Sequence, residues 1–383
     1  MSCIIFVGAG ASKSFDIPTG GKAAESPMRE LVDEFRKHLL ILYSSIDFSR
    51  YKEKEELGDE LKLYDDILKH LGEGYPQLDI EAIFSVLNDL SYENGYASRL
   101  YHPTVLYILN DSYQMSSIKS WMSLNLKKKQ EIAKRLKIKL EQFYLDKLYP
   151  HENKKSEIVK LYEDFFTVIL AKHGHHLNEV RDGNNRVFGN YCTIFTTNND
   201  PCIEIYCKAK NMQYVNGQLS DGVLDLTKRG NKELFEGSKC RILKLHGSVN
   251  WYYKDGRMKY APIDEEIKID PKKIQGHLLV YPAQEKFMHQ DPFLDMFVFL
   301  RDTLFMAQEW FIIGYSFSDR EIKDFFVNAY QQRKKEGRTP GVYIIDPNPN
   351  IKDKLKEIDD IKVITNTFNE NAIQELKEKI DSK

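Results

Sequence analysis

Short apolar runs recur along the chain, and one long middle section breaks their rhythm. The runs are "CIIFVG" (3–8), "YCTIFTT" (191–197), "RILKLHG" (241–247), "HLLVYP" (277–282), "WFIIGYS" (310–316), "VYIIDP" (342–347) and "KVITNTF" (362–368). Several are apolar without alternation, the pattern of strands covered on both faces of a parallel sheet. The stretch "SDREIKDFFVNAYQQRKKEG" (318–337) has helical periodicity, with Ser318 or Asp319 placed to cap its start and Gly337 its end. Strands alternating with such helices predict a doubly wound α/β fold. "WYYKDGRMKY" predicts a hairpin turning at Asp255-Gly256.

Between residues 25 and 185 the period lengthens. Ile132, Leu136, Leu140 and Phe143 recur at helical spacing, as do Ile158, Leu161, Phe165 and Ile169. Lys127–Lys129 reads as the solvated face of such a helix rather than a nucleic-acid contact. The expected organisation is a sheet domain over residues 1–24 and 186–383, interrupted by a helical insertion over 25–185.

Composition narrows the function classes. Of 383 residues, 42% are apolar and 29% charged, the balance of a globular chain with a substantial core. A formal charge of −2 gives no reason to expect direct nucleic-acid or membrane-surface binding. No apolar run approaches the roughly 18–20 residues that cross a bilayer. The N-terminal "MSCIIFVGAGAS" lacks a basic leader and flows into a glycine turn, so it reads as a first strand. Five cysteines with no Cys-x-x-Cys pair argue against a zinc ribbon, and reduced thiols in a cytoplasmic protein are the simpler expectation.

Five strand ends carry candidate chemistry. Gly8-Ala9-Gly10-Ala11-Ser12 follows the first strand, where glycines let phosphate oxygens approach backbone N–H groups; a plain strand-to-helix turn fits as well. It lacks a full Gly-x-Gly-x-x-Gly fingerprint and a Walker ending. Thr196-Thr197-Asn198-Asn199-Asp200 closes the second run, with an Asx-rich turn and helix capping by Asp200 as the alternative. His246, before Gly247, ends the third, and its imidazole can take a proton near neutral pH. Gly314 and Ser316 follow a later strand and suit a phosphate or ribose. Asp346 ends another, where a carboxylate accepts from a ribose diol; a turn forced by Pro347 is the alternative. In an open parallel sheet these ends share one edge, which makes the fold Rossmann-like and the site a dinucleotide site.

In order, Gly8–Ser12 with Ile17-Pro18, Thr196–Asp200, His246-Gly247 and Gly314-Tyr315-Ser316 resemble the sirtuin family. The resemblance touches residues 1–20 and about 190–350. It implies NAD+ bound across the sheet, with Asn198 and His246 facing the nicotinamide ribose and the bond to nicotinamide broken. Asp200 would orient the site, and Gly8, Ala9, Gly10, Ser12, Thr197, Gly314, Ser316 and Asp346 would hold the rest of the nucleotide. Departures matter equally. Ile17-Pro18 continues into Thr19-Gly20-Gly21 rather than Asp-Phe-Arg, the paired zinc cysteines are missing, and "VYPAQEKF" (280–287) stands where a peptide-binding segment would be. No metal is expected.

The pattern is similar to the bacterial sirtuin-like NADases of antiphage defence. That implies an NAD+ glycohydrolase making nicotinamide and ADP-ribose, and depleting cellular NAD+ in abortive infection. Strands running nearly to the C-terminus point, within that group, to the stand-alone subunit paired with a HerA-type hexameric ATPase. A toxic NADase has to be held inactive until needed, and homo-oligomerisation through the helical insertion is the expected means. An NAD-dependent protein deacylase and a non-hydrolytic NAD or ADP-ribose sensor are the competing readings.

Overall fold

A computed structural model describes residues 3–18, 27–74, 80–91, 126–181, 186–261, 276–279 and 293–382. The strands are β1 (Cys3–Val7), β2 (Cys192–Thr196), β3 (Tyr214–Val215), β4 (Cys240–Lys244), β5 (Gly247–Lys254), β6 (Arg257–Tyr260), β7 (Gly276–Leu279), β8 (Glu309–Ile313), β9 (Gly341–Ile345) and β10 (Lys362–Ile364). Seven form one sheet in the order β10-β9-β8-β1-β2-β4-β3. Every neighbouring pair in it is parallel.

The unbroken apolar runs are explained by cover on both faces. On one face Ile4, Phe6, Trp310, Ile312, Val342 and Ile344 join a buried cluster with Met296, Leu300, Phe326 and Tyr330. On the other, Phe311 stacks on Tyr343 at 5.1 Å, and the Lys172 ammonium lies 4.6 Å from the Tyr343 ring centre. A strand caught between two apolar layers has no polar side to alternate towards.

The strand order places the site. From β1 the chain adds β2, β4 and β3 on one side, then returns to lay β8, β9 and β10 on the other. The carboxyl end of β1 is therefore the switch point, where an open sheet splays its loops into a crevice.

The helices are α1 (Pro27–Ser45), α2 (Tyr51–Gly74), α3 (Ile80–Ser91), α4 (Leu126–Leu148), α5 (Lys155–Lys172), α6 (Leu177–Arg181), α7 (Arg186–Tyr191), α8 (Cys202–Ala209), α9 (Lys232–Phe235), α10 (Leu294–Met306), α11 (Arg320–Lys335) and α12 (Glu370–Asp381). The chain forms two compact units: residues 19–147 with 281–286, and the remainder, which holds the sheet. In the helical unit, Phe35 packs against Tyr64 and Phe143. Buried Glu60 is neutralised there by Arg135 and Lys139.

This division differs from the boundary drawn at residue 185. Helix α5 goes with the sheet because its buried stripe, Ile158, Leu161, Phe165 and Ile169 among others, packs on α8 and α12. Its neighbour Tyr162 lies 5.4 Å from Phe368, centre to centre.

Other expectations shift with tertiary context. The run at 277–282 does not enter the parallel sheet: β7 pairs antiparallel with β5 in a separate three-stranded sheet, and residues 280–282 lie outside the described residues. The two-residue β3 takes the seventh place, at an edge where brief pairing suffices. The hairpin turns at Asp255 and Gly256, both left-handed, at φ of 53° and 69°. Cys3 and Cys192 are directly paired on β1 and β2, 4.8 Å apart at Cα, and form a disulfide where reduced thiols were expected. Adjacent in-register strands supply the needed separation, which spacing along the chain hides. Among the described residues no helix is long and apolar enough to cross a membrane.

Candidate functional site

The loop after β1 and the loop after β8 are built around each other. The Gly8 amide donates to the Ile313 carbonyl and the Gly10 amide to the Gly314 carbonyl, each at 2.8 Å. A Cβ on Gly8 would come within 2.6 Å of the Gly314 oxygen. Gly314 has φ +59°, and a Cβ there would drive into the Ala11 backbone nitrogen. The Ala11 and Ser12 amides close a 3₁₀ turn onto Gly8 and Ala9. The amides at 8, 10, 11 and 12 thus all donate within the protein, and the glycines serve close backbone approach.

That packing delivers Ser12 to the end of β2. Its Oγ donates to Asp200 Oδ2 at 2.7 Å and accepts from Asn198 Nδ2 at 2.9 Å. The Asn198 amide donates to Thr196 Oγ1, and the Cys202 amide donates to Asp200 Oδ1 at the start of α8. Asn198 is only 7% exposed, and its Oδ1 has no protein donor. A buried carboxamide oxygen left in this state leaves a hydrogen bond for something else to make.

The next layer fixes the end of β4. Asn199 Nδ2 donates to the carbonyls of His246 at 2.8 Å and Gly247 at 3.2 Å, and the Asn199 carbonyl accepts from the Val249 amide. His246 is therefore tied to the segment that carries Asn198. Gly247, at φ +84°, lets the chain turn directly after it. His246 Nε2 lies 3.4 Å from Asp319 Oδ2, both residues buried.

Beneath these groups runs a buried ion pair. Lys244, the last residue of β4, has no exposure; its Nζ donates to Glu204 Oε1 at 3.0 Å and to the Asp200 carbonyl at 2.6 Å. The lysine pins α8 and the Asp200 turn to the sheet.

The remaining expected residues lie along the same edge. The Thr197 amide donates to the Val7 carbonyl and the Gly314 amide to the Ile345 carbonyl, prolonging the ladder past β1 and β8. Ser316 Oγ lies 2.8 Å from Ser318 Oγ. Asp346 is buried after β9, its Oδ1 accepting from the Asn348 amide at 2.9 Å. Burial raises the Asp346 carboxyl above its usual range, against the lowering effects of that amide and of the Lys354 charge. Lys354 Nζ also donates to the Ser316 carbonyl at 2.7 Å. Of the candidates, Ser12, Asn198 and Asp200 touch directly, and His246 joins them through Asn199. Gly8, Gly10 and Gly314 shape the loops, while Ala9 belongs to the 3₁₀ turn.

Sequence reasoning missed Lys244, Glu204 and Lys354, and saw Asp319 only as a helix cap. A lysine inside the apolar run "RILKLHG" was the one signal available. Among the described residues no group of three or more His, Cys, Asp or Glu could hold a metal ion.

Comparison with known proteins bears on the segment that carries most of these groups. Residues 192–366 match the SIR2-like domain family. The matched segment opens at β2 and closes just after β10, taking in Asn198, Asp200, His246, Asp319 and Asp346. Ser12 reaches it from β1, outside the matched residues. No curated protein matches the chain. A solved structure of Sir2 in complex with the inhibitor EX-527, 2'-O-acetyl-ADP-ribose and a deacetylated p53 peptide is 11% identical, covering 99% of this chain and 94% of that one. Its TM-score is 0.34, a likeness that carries no argument about the site.

Proposed function

We propose that this protein is an NAD+ glycohydrolase, splitting NAD+ and water into nicotinamide, ADP-ribose and a proton. The observation that carries the reading is Asn198: a buried carboxamide at the sheet's switch point, its nitrogen fixed by Ser12 and its oxygen without a protein partner. A sugar hydroxyl is a donor of the right kind for that oxygen. The SIR2-like match gives the nucleotide class its support.

The leaving pyridinium is already cationic, so no acid is required to expel it. The protein's tasks are to hold the ribose, to position a water and to take one proton from it. Asn198 holds the ribose hydroxyl or the water, and Asp200 keeps Ser12 and Asn198 in register. His246 takes the proton, a role worth about 10²–10⁴-fold in rate. Thr197, Gly314, Ser316 and Asp346, with the Gly8–Gly10 turn, line the edge for the rest of the dinucleotide, Asp346 as acceptor for a ribose diol. No metal takes part. Depletion of NAD+ in antiphage defence, in a cytoplasmic homo-oligomer working with a HerA-type ATPase, is the physiological setting we infer from the sequence resemblance.

The test is nicotinamide release from NAD+ by wild type, Asn198→Ala and His246→Ala, with and without acetyl-peptide and an ATPase partner. Release by wild type that needs no peptide, and falls at least about a hundredfold in both variants, is expected. Release strictly dependent on acetyl-peptide would instead identify a deacylase, and stable binding of intact NAD+ a sensor.

A further inference from the structure

We propose that Asp319 is the positioning residue for His246, a role that rests on the hydrolase reading above and extends it. Three features of the structure converge on this pair. The first is proximity: the Asp319 carboxylate lies 3.4 Å from His246 Nε2, with each residue 8% exposed.

The second is an unused cap. Asp319 occupies the residue before α11 with extended backbone, at φ −79° and ψ 106°, where an aspartate ordinarily accepts from the first-turn amides. Its side chain makes no such bond. The carboxylate is turned to the imidazole instead.

The third is the bend that turns it. Phe317, two residues earlier, is left-handed at φ 52°, a conformation unfavourable for a bulky side chain. The buried Phe317 ring is held there against Tyr315 at 4.9 Å and Phe326 at 5.5 Å. The phenol of Tyr315 is shifted well upward, first by its own burial and then by the Asp319 charge. Backbone strain of this kind clusters at functional sites.

The chemistry follows from the atoms. A carboxylate accepting from Nε2–H fixes the neutral imidazole in one tautomer and puts the lone pair on Nδ1. When Nδ1 takes the proton of the attacking water, the carboxylate stabilises the imidazolium without being protonated itself. The bond from the ribose anomeric carbon to the pyridinium nitrogen breaks, the bond to the water oxygen forms, and His246 returns the proton to solvent.

The experiment compares full-length wild type, Asp319→Asn and Asp319→Glu by steady-state nicotinamide release and by the ring-nitrogen spectrum of His246, assigned with His246→Gln. Expected is a fall in kcat of about 10²-fold or more in Asp319→Asn with KM within about threefold, and recovery of at least about tenfold in Asp319→Glu. The wild-type ring should be protonated at Nε2, with the proton moved to Nδ1 in Asp319→Asn. A kcat retained within about threefold in Asp319→Asn, or a wild-type ring protonated at Nδ1, overturns the proposal. The spectrum of wild type decides the pairing even where a variant does not fold. It also does so where no nicotinamide is released, an outcome that would remove the hydrolase reading alone.

Discussion

The Oγ of Ser12 donates to the Oδ2 of Asp200 at 2.7 Å, joining the first loop of the chain to a turn 188 residues later. One hydroxyl serves two partners, because it also accepts from Asn198. Removing it in Ser12→Ala leaves a buried carboxylate oxygen without its donor and the carboxamide without its acceptor. A loss of about 1–3 kcal/mol in urea unfolding is expected. Nicotinamide release should fall more than about tenfold with Asn198 no longer fixed.

The Lys244–Glu204 pair is wholly buried, so breaking it differs from replacing it. Lys244→Met strands the Glu204 charge and should cost about 3–5 kcal/mol, read from the denaturant midpoint. The double variant Lys244→Met/Glu204→Leu should recover most of that loss. A double variant no more stable than the single would show that the lysine matters mainly through its bond to the Asp200 carbonyl.

Two glycines with the same sign of φ should behave differently. Gly314 faces the Ala11 backbone, whereas Gly256, at φ +69° in the hairpin turn, has nothing within 4 Å of an added Cβ. Gly256→Ala should cost about 1 kcal/mol for its backbone alone. Gly314→Ala should cost clearly more, and should move the Gly8–Ser12 loop enough to abolish nucleotide binding. Thermal melts and calorimetric titration with NAD+ separate the two.

Asp346 gives a pH signature. Burial raises its carboxyl, so the folded chain holds that proton to higher pH than the unfolded chain does. The cost of ionising it is absent below the unfolded value and complete above the folded one. Stability therefore falls as pH rises through that window. Asp346→Asn keeps an acceptor for the Asn348 amide and should remove this slope, gaining stability at neutral pH. If the carboxylate holds a ribose diol, the same variant should bind NAD+ more weakly. Unfolding curves from about pH 4 to 8 with parallel binding measurements check both halves.

The carboxyl-edge residues were legible because a strand end is a local event. Each apolar run stops at a polar or glycine residue, and the parallel pattern alone assigns those stops to one edge. Asn198, Asp200, His246 and Asp346 could be named on that basis. Asp319 was legible only as a cap: it does occupy the residue before α11, but its side chain makes no cap bond, and its 3.4 Å approach to His246 depends on a segment distant in the chain. The sheet joined by the run at 277–282 was not legible, because apolar content does not distinguish a strand of the main sheet from one paired with a hairpin, as β7 is with β5.

The sequence by itself determined the alternation of strands and helices, the turn at Asp255-Gly256, and the residue types offered at each strand end, since all of these depend on neighbours within a few positions. Only the tertiary structure decided that Gly8 and Gly10 make room for Gly314, that Cys3 meets Cys192, that α5 belongs with the sheet, and that Lys244 lies buried under Asp200. Those facts depend on which distant segments are brought within a few ångströms, and contact across such separations is set by how the whole core packs.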